Sequence, residues 1–259
     1  MKRLILLSAL LIFACSSDDS PSDDSNDGDV ILCTKRTQQY ETNNGEQITK
    51  TSEYNYAGTQ LLSFTSTTSG FITNTGGQNR TTTYSNLYED NLVTSMMVTI
   101  DTNNDGNINS SQIYEFEYDN LGRKTKQSVG GQDKYFYNYL NDGLTVQITN
   151  SEGLLHQIHT YNSNKNLIEI DDFDSNGLYE GAIIYTYDDK NMPFKNVTTW
   201  YPLSSLLYLG TNNSIFVQRY EGCVYPKDIT YNDNDYPVSY IRTSSCTNTI
   251  YTNTLEYNN

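Results

Sequence analysis

Residues Tyr114 to Lys126 read YEFEYDNLGRKTK, and the way this stretch is built decides the fold. Tyr114, Phe116 and Tyr118 alternate with Glu115 and Glu117. In an extended chain the three aromatics share one face and the two carboxylates the other. Asp119 to Gly122 then form a polar turn, and a second strand leaves from Arg123. Looser copies of this strand–turn–strand unit are marked by Tyr56, Tyr88, Tyr118, Tyr139, Tyr161, Tyr187, Tyr208 and Tyr231, at spacings of 32, 30, 21, 22, 26, 21 and 23 residues. The recurring interval of 21 to 23 residues fits two strands and two turns.

The same alternation returns in Tyr135, Tyr137 and Tyr139, in Ile183, Tyr185 and Tyr187, and in Leu144, Val146 and Ile148. Asn141-Asp142-Gly143, Ser151-Glu152-Gly153 and Ser175-Asn176-Gly177 carry the turn chemistry of hairpins. Sequential hairpins with short links predict an all-β antiparallel meander. Such a sheet must hide its edges, so it is expected to curl into a barrel or an open shell. The composition agrees. The chain holds 23 Tyr and one Trp in 259 residues, and Tyr suits a half-buried pleated surface, ring inward and hydroxyl at the rim.

Sixteen Lys and Arg stand against 31 Asp and Glu, a formal net charge of −15. That balance speaks against nucleic acid and anionic membrane surfaces as partners, because both call for clustered basic residues.

The first residues read as an address. Lys2 and Arg3 precede an apolar run from Leu4 to Phe13, too short to span a bilayer at about 20 residues but sized for a signal-peptide core. Ile12-Phe13-Ala14-Cys15 resembles a bacterial lipobox, with Phe13 where a small residue is usual. The resemblance implies a signal peptide over 1–14, lipidation of Cys15, and anchoring in outer-membrane lipid. Ser16-Ser17-Asp18-Asp19-Ser20 resembles the acidic export signal of Bacteroidota surface lipoproteins, which implies display on the cell exterior. The Asp/Ser-rich stretch up to Asp29 is too polar to pack, and is expected to form a disordered tether reaching about 50 Å at most. The folded domain is placed at 30–259.

Tyr118-Asp119-Asn120-Leu121-Gly122-Arg123 resembles the YD repeat of Rhs-type secreted proteins, which build spiralling β-shells. The wider pattern is similar to Bacteroidota surface lipoproteins with a porin-like meander barrel. Elsewhere the turn glycine is lost, with Asn166, Met192 and Tyr236 near its place. The repeat is structural and brings no catalytic residues. One segment breaks the rhythm: Pro202, Leu203, Leu206, Leu207 and Tyr208 are spaced for a short helix near 202–209 that plugs or caps the sheet.

Several groups carry candidate chemistry. Asp101, Asn103, Asp105, Asn107 and Asn109 alternate as in a Ca²⁺ loop, and Asp172, Asp174 and Asn176 form a shorter copy. Gln112 stands where a bidentate Glu is usual, and polar hairpin turns use the same residues. Ca²⁺ is thus the one cofactor the pattern suggests, beside the plainer reading of a turn. The midpoint of Cys223 and Cys246 falls close to the turn at Asn232 to Asp235, so the two are expected to face each other across one hairpin, where a disulfide or free thiols would fit. His156 and His159, three apart, should stand on opposite faces of a strand. Glu115 and Glu117 share a face in the manner of a glycosidase pair, yet it is the polar face of a repeat strand. Trp200, Tyr201 and Tyr208 would stack on sugar rings if exposed, and pack as core if buried. With no nucleophile elbow, P-loop or dinucleotide fingerprint in the sequence, the reading is a non-enzymatic surface lipoprotein that binds a glycan or a protein or supports the envelope. The alternative is a polysaccharide-acting hydrolase.

Overall fold

A computed structural model describes residues 30–42, 45–70, 79–197 and 212–258. Cys15, the tether, the segment expected to be helical near 202–209, and Trp200, Tyr201 and Tyr208 lie outside the described residues. Sixteen strands are described: β1 (Cys33–Glu41), β2 (Gln47–Ala57), β3 (Gln60–Ser69), β4 (Arg80–Glu89), β5 (Leu92–Thr102), β6 (Ser110–Tyr118), β7 (Lys124–Val129), β8 (Gln132–Leu140), β9 (Thr145–Asn150), β10 (Leu155–Tyr161), β11 (Leu167–Phe173), β12 (Tyr179–Asn191), β13 (Asn212–Arg219), β14 (Val224–Tyr231), β15 (Pro237–Thr243) and β16 (Ile250–Tyr257). Each pairs antiparallel with its sequence neighbours, and β1 pairs with β16, so the meander closes into a barrel without an edge.

The quoted stretch is the end of β6, a turn and the start of β7. Asp119 Oδ1 accepts the amides of Leu121 and Arg123, and Gly122 donates to the Asp119 carbonyl. Gly122 closes this turn at φ 71°. Asn150, Asn162, Asp174 and Asn232 cap their turns in the same way. The structure shifts two of the sequence equivalences: the left-handed position of Gly122 is taken by Lys165 (φ 62°) and Asp235 (φ 62°), one residue before Asn166 and Tyr236.

Hydroxyl bonds of the inward tyrosines clasp neighbouring repeats in two runs, one from Tyr231 across the seam to Tyr139 and one from Tyr161 to Tyr187. Tyr56, Tyr88, Tyr118, Tyr161, Tyr187 and Tyr231 each follow a β-bulge, opposite Leu61, Val93, Lys124, Leu167, Ser214 and Pro237 respectively. The hydroxyl of a later tyrosine then donates to the carbonyl of such an opposing residue: Tyr88 to Leu61, Tyr118 to Val93, Tyr139 to Lys124, Tyr187 to Leu167 and Tyr257 to Pro237. Tyr56 donates to Cys33, which stands opposite Tyr257 across the closing seam. Between Tyr187 and Tyr231 the described residues hold one two-strand unit, β13 and β14, rather than the two that the spacing around Tyr208 implied.

The outer wall is polar. β1 presents Lys35, Thr37, Gln39 and Glu41, and β2 presents Gln47, Thr49, Thr51 and Glu53. Thr65 and Thr67 pair with Thr83 and Thr81 across β3 and β4. Exposed Met97, Ile113, Ile184 and Ile241 interrupt this wall without girdling it. Inward positions hold the apolar core, which divides into three clusters, around Leu61 and Phe194, around Met96 and Phe116, and around Leu167 and Ile170.

Candidate binding lumen

The interior is unevenly filled. Around β6 to β11 it is packed: the Lys124 ammonium lies 4.1 Å from the centre of the Tyr137 ring, Tyr137 donates to Gln127, and His159 bonds Gln157. On the other side, between β12 to β16 and β1 to β6, a cavity of about 920 Å³ remains. Buried Met192 and Phe194 line its tyrosine end, and exposed Arg80 and Arg219 line the opposite end. That volume lies in the usual range for small-ligand sites, about 300–1,000 Å³.

Strand parity puts this lining in place. Arg36 and Gln38 on β1 lie opposite Ser52 and Lys50 on β2, while Lys227 and Ile229 on β14 lie opposite Arg242 and Tyr240 on β15. Basic side chains occupy the wall at Arg36, Lys50, Arg80, Arg219, Lys227 and Arg242, and no Asp or Glu is among the described lining residues. Arg36 donates to Asn253 Oδ1 at 3.0 Å, and Lys227 Nζ lies 3.3 Å from Ser214 Oγ. The Arg242 guanidinium sits 4.3 Å from the centre of the Tyr251 ring, and its buried Nε has no hydrogen-bond partner among the described residues. Phe64 and Tyr84 stack at 4.1 Å, adding a flat apolar surface.

The electrostatics follow from this crowding. Burial, and then the charges of Arg36 and Arg242, push the Lys227 amine down to about 7, with Asp188 opposing. Burial, followed by Arg36 and Arg80, also lowers Lys50. Asp188 itself is occupied by the Tyr231 hydroxyl and by the amides of Lys190 and Asn213. Burial holds His159 at about 4, helped by Lys124 and His156, so its ring is neutral.

The residues singled out in the sequence mostly lie elsewhere. Asp101 lies at the end of β5, and Asn103, Asp105, Asn107 and Asn109 belong to the β5–β6 connection; Asp101 accepts the amides of Asp105 and Gly106, Asp105 accepts Asn107, and Asn109 accepts Thr102. Asp172 lies on β11 and accepts a bond from Gln157, and Asp174 caps the next turn through the amides of Asn176 and Leu178. Among the described residues no three His, Cys, Asp or Glu side chains converge on a metal position. Cys223 and Cys246 form a disulfide, Cα to Cα 5.3 Å, beyond the open end of the β14–β15 ladder. A bulge between Leu155 and Gln157 breaks the strict alternation, and the His156 ring stacks on Tyr135, which shares its face with Tyr137 and Tyr139. Glu117 pairs with Lys126 on the outer wall. The lumenal cations escaped the sequence reading. The signal for them was parity with an inward tyrosine, as in Tyr225 and Lys227 or Tyr240 and Arg242.

No protein-family model and no curated protein matches the chain. Among solved structures, a porin-like protein from Bacteroides uniformis ATCC 8492 aligns with a TM-score of 0.54 at 15% identity, over 87% of this chain and 96% of that one. A porin-like protein from Bacteroides vulgatus ATCC 8482 covers 88% of this chain and 99% of its own at 10% identity, with a TM-score of 0.25. A putative outer membrane lipoprotein-sorting protein domain from Vibrio parahaemolyticus covers 88% and 84% at 8% identity, also with a TM-score of 0.25. The first of these likenesses supports the fold alone: the chain is an antiparallel meander closed into a β-barrel.

Proposed function

We propose that the protein is a non-enzymatic, lipid-anchored barrel of a bacterial outer surface that binds a glycan inside its lumen. The observation that carries this reading is a water-facing wall around a cavity lined with aromatic rings and hydrogen-bonding side chains. A membrane-spanning barrel needs an outward apolar band about 25 Å tall, and the Thr, Gln, Glu and Lys rows on β1 and β2 are the opposite of one. Tyr rings offer faces for sugar C–H groups, with hydroxyls and cationic side chains at their edges. Glycoside hydrolysis commonly needs two carboxylates about 5–10 Å apart, and the described lining supplies none. The lipobox at Cys15 and the acidic stretch after it support anchoring and export.

Two measurements test this. A glycan array probed with the labelled chain should retain it on a restricted set of saccharides, and uniform background would overturn the binding role. Protease shaving of intact cells should remove the barrel while a periplasmic control survives. Protection until lysis would place it inside the envelope.

A further inference from the structure

The lumenal cations narrow the ligand. The chain has nearly twice as many acidic as basic residues, yet Arg36, Lys50, Arg80, Arg219, Lys227 and Arg242 face one cavity whose described lining holds no carboxylate. The ion pairs among the described residues use Lys35, Arg123, Lys126 and Lys190 instead. Among the described residues the inward cations make their direct contacts with neutral groups: an asparagine oxygen for Arg36, a hydroxyl for Lys227, and ring faces for Arg219 and Arg242. Arg242 keeps one buried N–H with no acceptor among the described residues.

Gathering like charges in a cavity is unfavourable for the empty barrel, because the inner ones, Arg36, Lys227 and Arg242, lose hydration and like charges repel one another. The arrangement is relieved when an anion enters and accepts the free donors. The cations line the cavity at several depths, from exposed Arg80 and Arg219 at one end to Arg36 and Lys227 within. Tyr240 and Tyr251 stand among them. A ligand matching this wall carries several negative groups spaced along a body that has apolar faces.

We infer that the lumen binds an acidic oligosaccharide, with carboxylate or sulfate groups seated on the arginines and lysines and ring faces on the tyrosines. This rests on the glycan-binding reading above and specifies its ligand class. Binding should also move a proton. Lys227 faces Arg36, Arg242 and Ser214, with Asp188 the nearest opposing charge, and an anion among these groups stabilises the ammonium form. Complex formation near pH 8 is therefore expected to take up protons, and the measured heat should vary with the ionisation enthalpy of the buffer.

The test is calorimetry on the full chain in detergent with three tetrasaccharides: tetragalacturonate, a sulfated heparin fragment and neutral maltotetraose. At least one acidic probe should bind about tenfold or more tighter than the neutral one and weaken with added salt. The preferred probe distinguishes carboxylate from sulfate. Lys227→Met and Arg242→Met should each weaken acidic binding by about ten- to a hundredfold, with melting temperatures no lower than the parent's. Neutral and acidic probes binding alike, with both variants silent, would overturn the charge inference while leaving glycan binding intact. Acidic binding that neither variant disturbs would move the site out of the lumen and also overturn it. Binding of no saccharide would remove the reading on which it rests.

Discussion

Replacing Lys227 with Met should stabilise the empty barrel. In the folded chain the amine is held at about 7 against an ordinary value of 10.5, first by burial and then by Arg36 and Arg242. That difference corresponds to about 5 kcal/mol between the charged and neutral forms. Lumenal water reaches the half-buried side chain and screens part of it, leaving about 2–3 kcal/mol. Met keeps the length of the stem, and the lost contact with Ser214 Oγ subtracts about 1 kcal/mol, so a net gain of about 1–2 kcal/mol is expected near pH 6. The sign with pH is fixed. A base whose folded pKa is depressed costs stability in full below about 7, and the cost fades as pH rises toward 10.5. Urea denaturation followed by tyrosine fluorescence, at pH 6 and pH 9, measures both quantities. The variant should exceed the parent at pH 6 by more than at pH 9. A variant equally or less stable at pH 6, with no narrowing at pH 9, would refute the claim that the lumen holds strained cations.

Three further outcomes follow from the repeat and its turns. Lys165→Gly relieves a non-glycine residue at φ 62° and should raise stability by about 0.5–1 kcal/mol, a thermal shift of about 1–4 °C. Tyr118→Phe leaves the Val93 carbonyl, on a fully buried residue, without its donor, and should cost about 1–3 kcal/mol in denaturant melts. Changing both Cys223 and Cys246 to Ser opens a loop with a sequence separation of 23 and should cost about 3 kcal/mol. Equal unfolding midpoints for that variant and the parent would show that the hairpin is held without the bridge.

The strands were legible because one face of each repeat is dry. Tyr114, Phe116 and Tyr118 announce both the strand and its inward side, and the polar turn after them announces its end. The cysteine spacing put both residues on one hairpin but not in register: the bulge at Tyr231 offsets the count from the turn by one, and it is the Lys227–Arg242 register that places Cys223 opposite Cys246. Closure was not legible. Pairing of Lys35 with Glu256 joins residues far apart in the chain, and nothing local in either strand encodes it. The site was harder still. β1 reads CTKRTQQYE, polar on both faces, because its inward side meets a wet cavity rather than a core. Lys35 and Arg36 are neighbours, yet one pairs with Glu256 outside and the other bonds Asn253 inside. Composition merges the two, and only strand parity separates them.

The tyrosine clasps help to hold a barrel whose interior is partly unfilled. Barrels of about eight strands fill their interior with side chains, whereas sixteen strands enclose a wider space. Backbone ladders join the strands along their length, and at one end each clasp joins a tyrosine to the carbonyl opposite another tyrosine. Tyr257 reaches Pro237, which stands opposite Tyr231, and Tyr56 reaches Cys33, which stands opposite Tyr257. The seam between first and last strands is therefore fastened by the same device that fastens consecutive repeats. Bulges interrupt the regular ladder, and at each clasp a hydroxyl supplies a donor to a carbonyl beside the bulge, joined at Leu61 by Asn86 Nδ2. With the wall held by backbone ladders and these clasps, the inward positions of β1, β14 and β15 are freed from core duty. Those are the positions that hold Arg36, Lys227 and Arg242, so the repeat that gives the fold its period also makes room for the site.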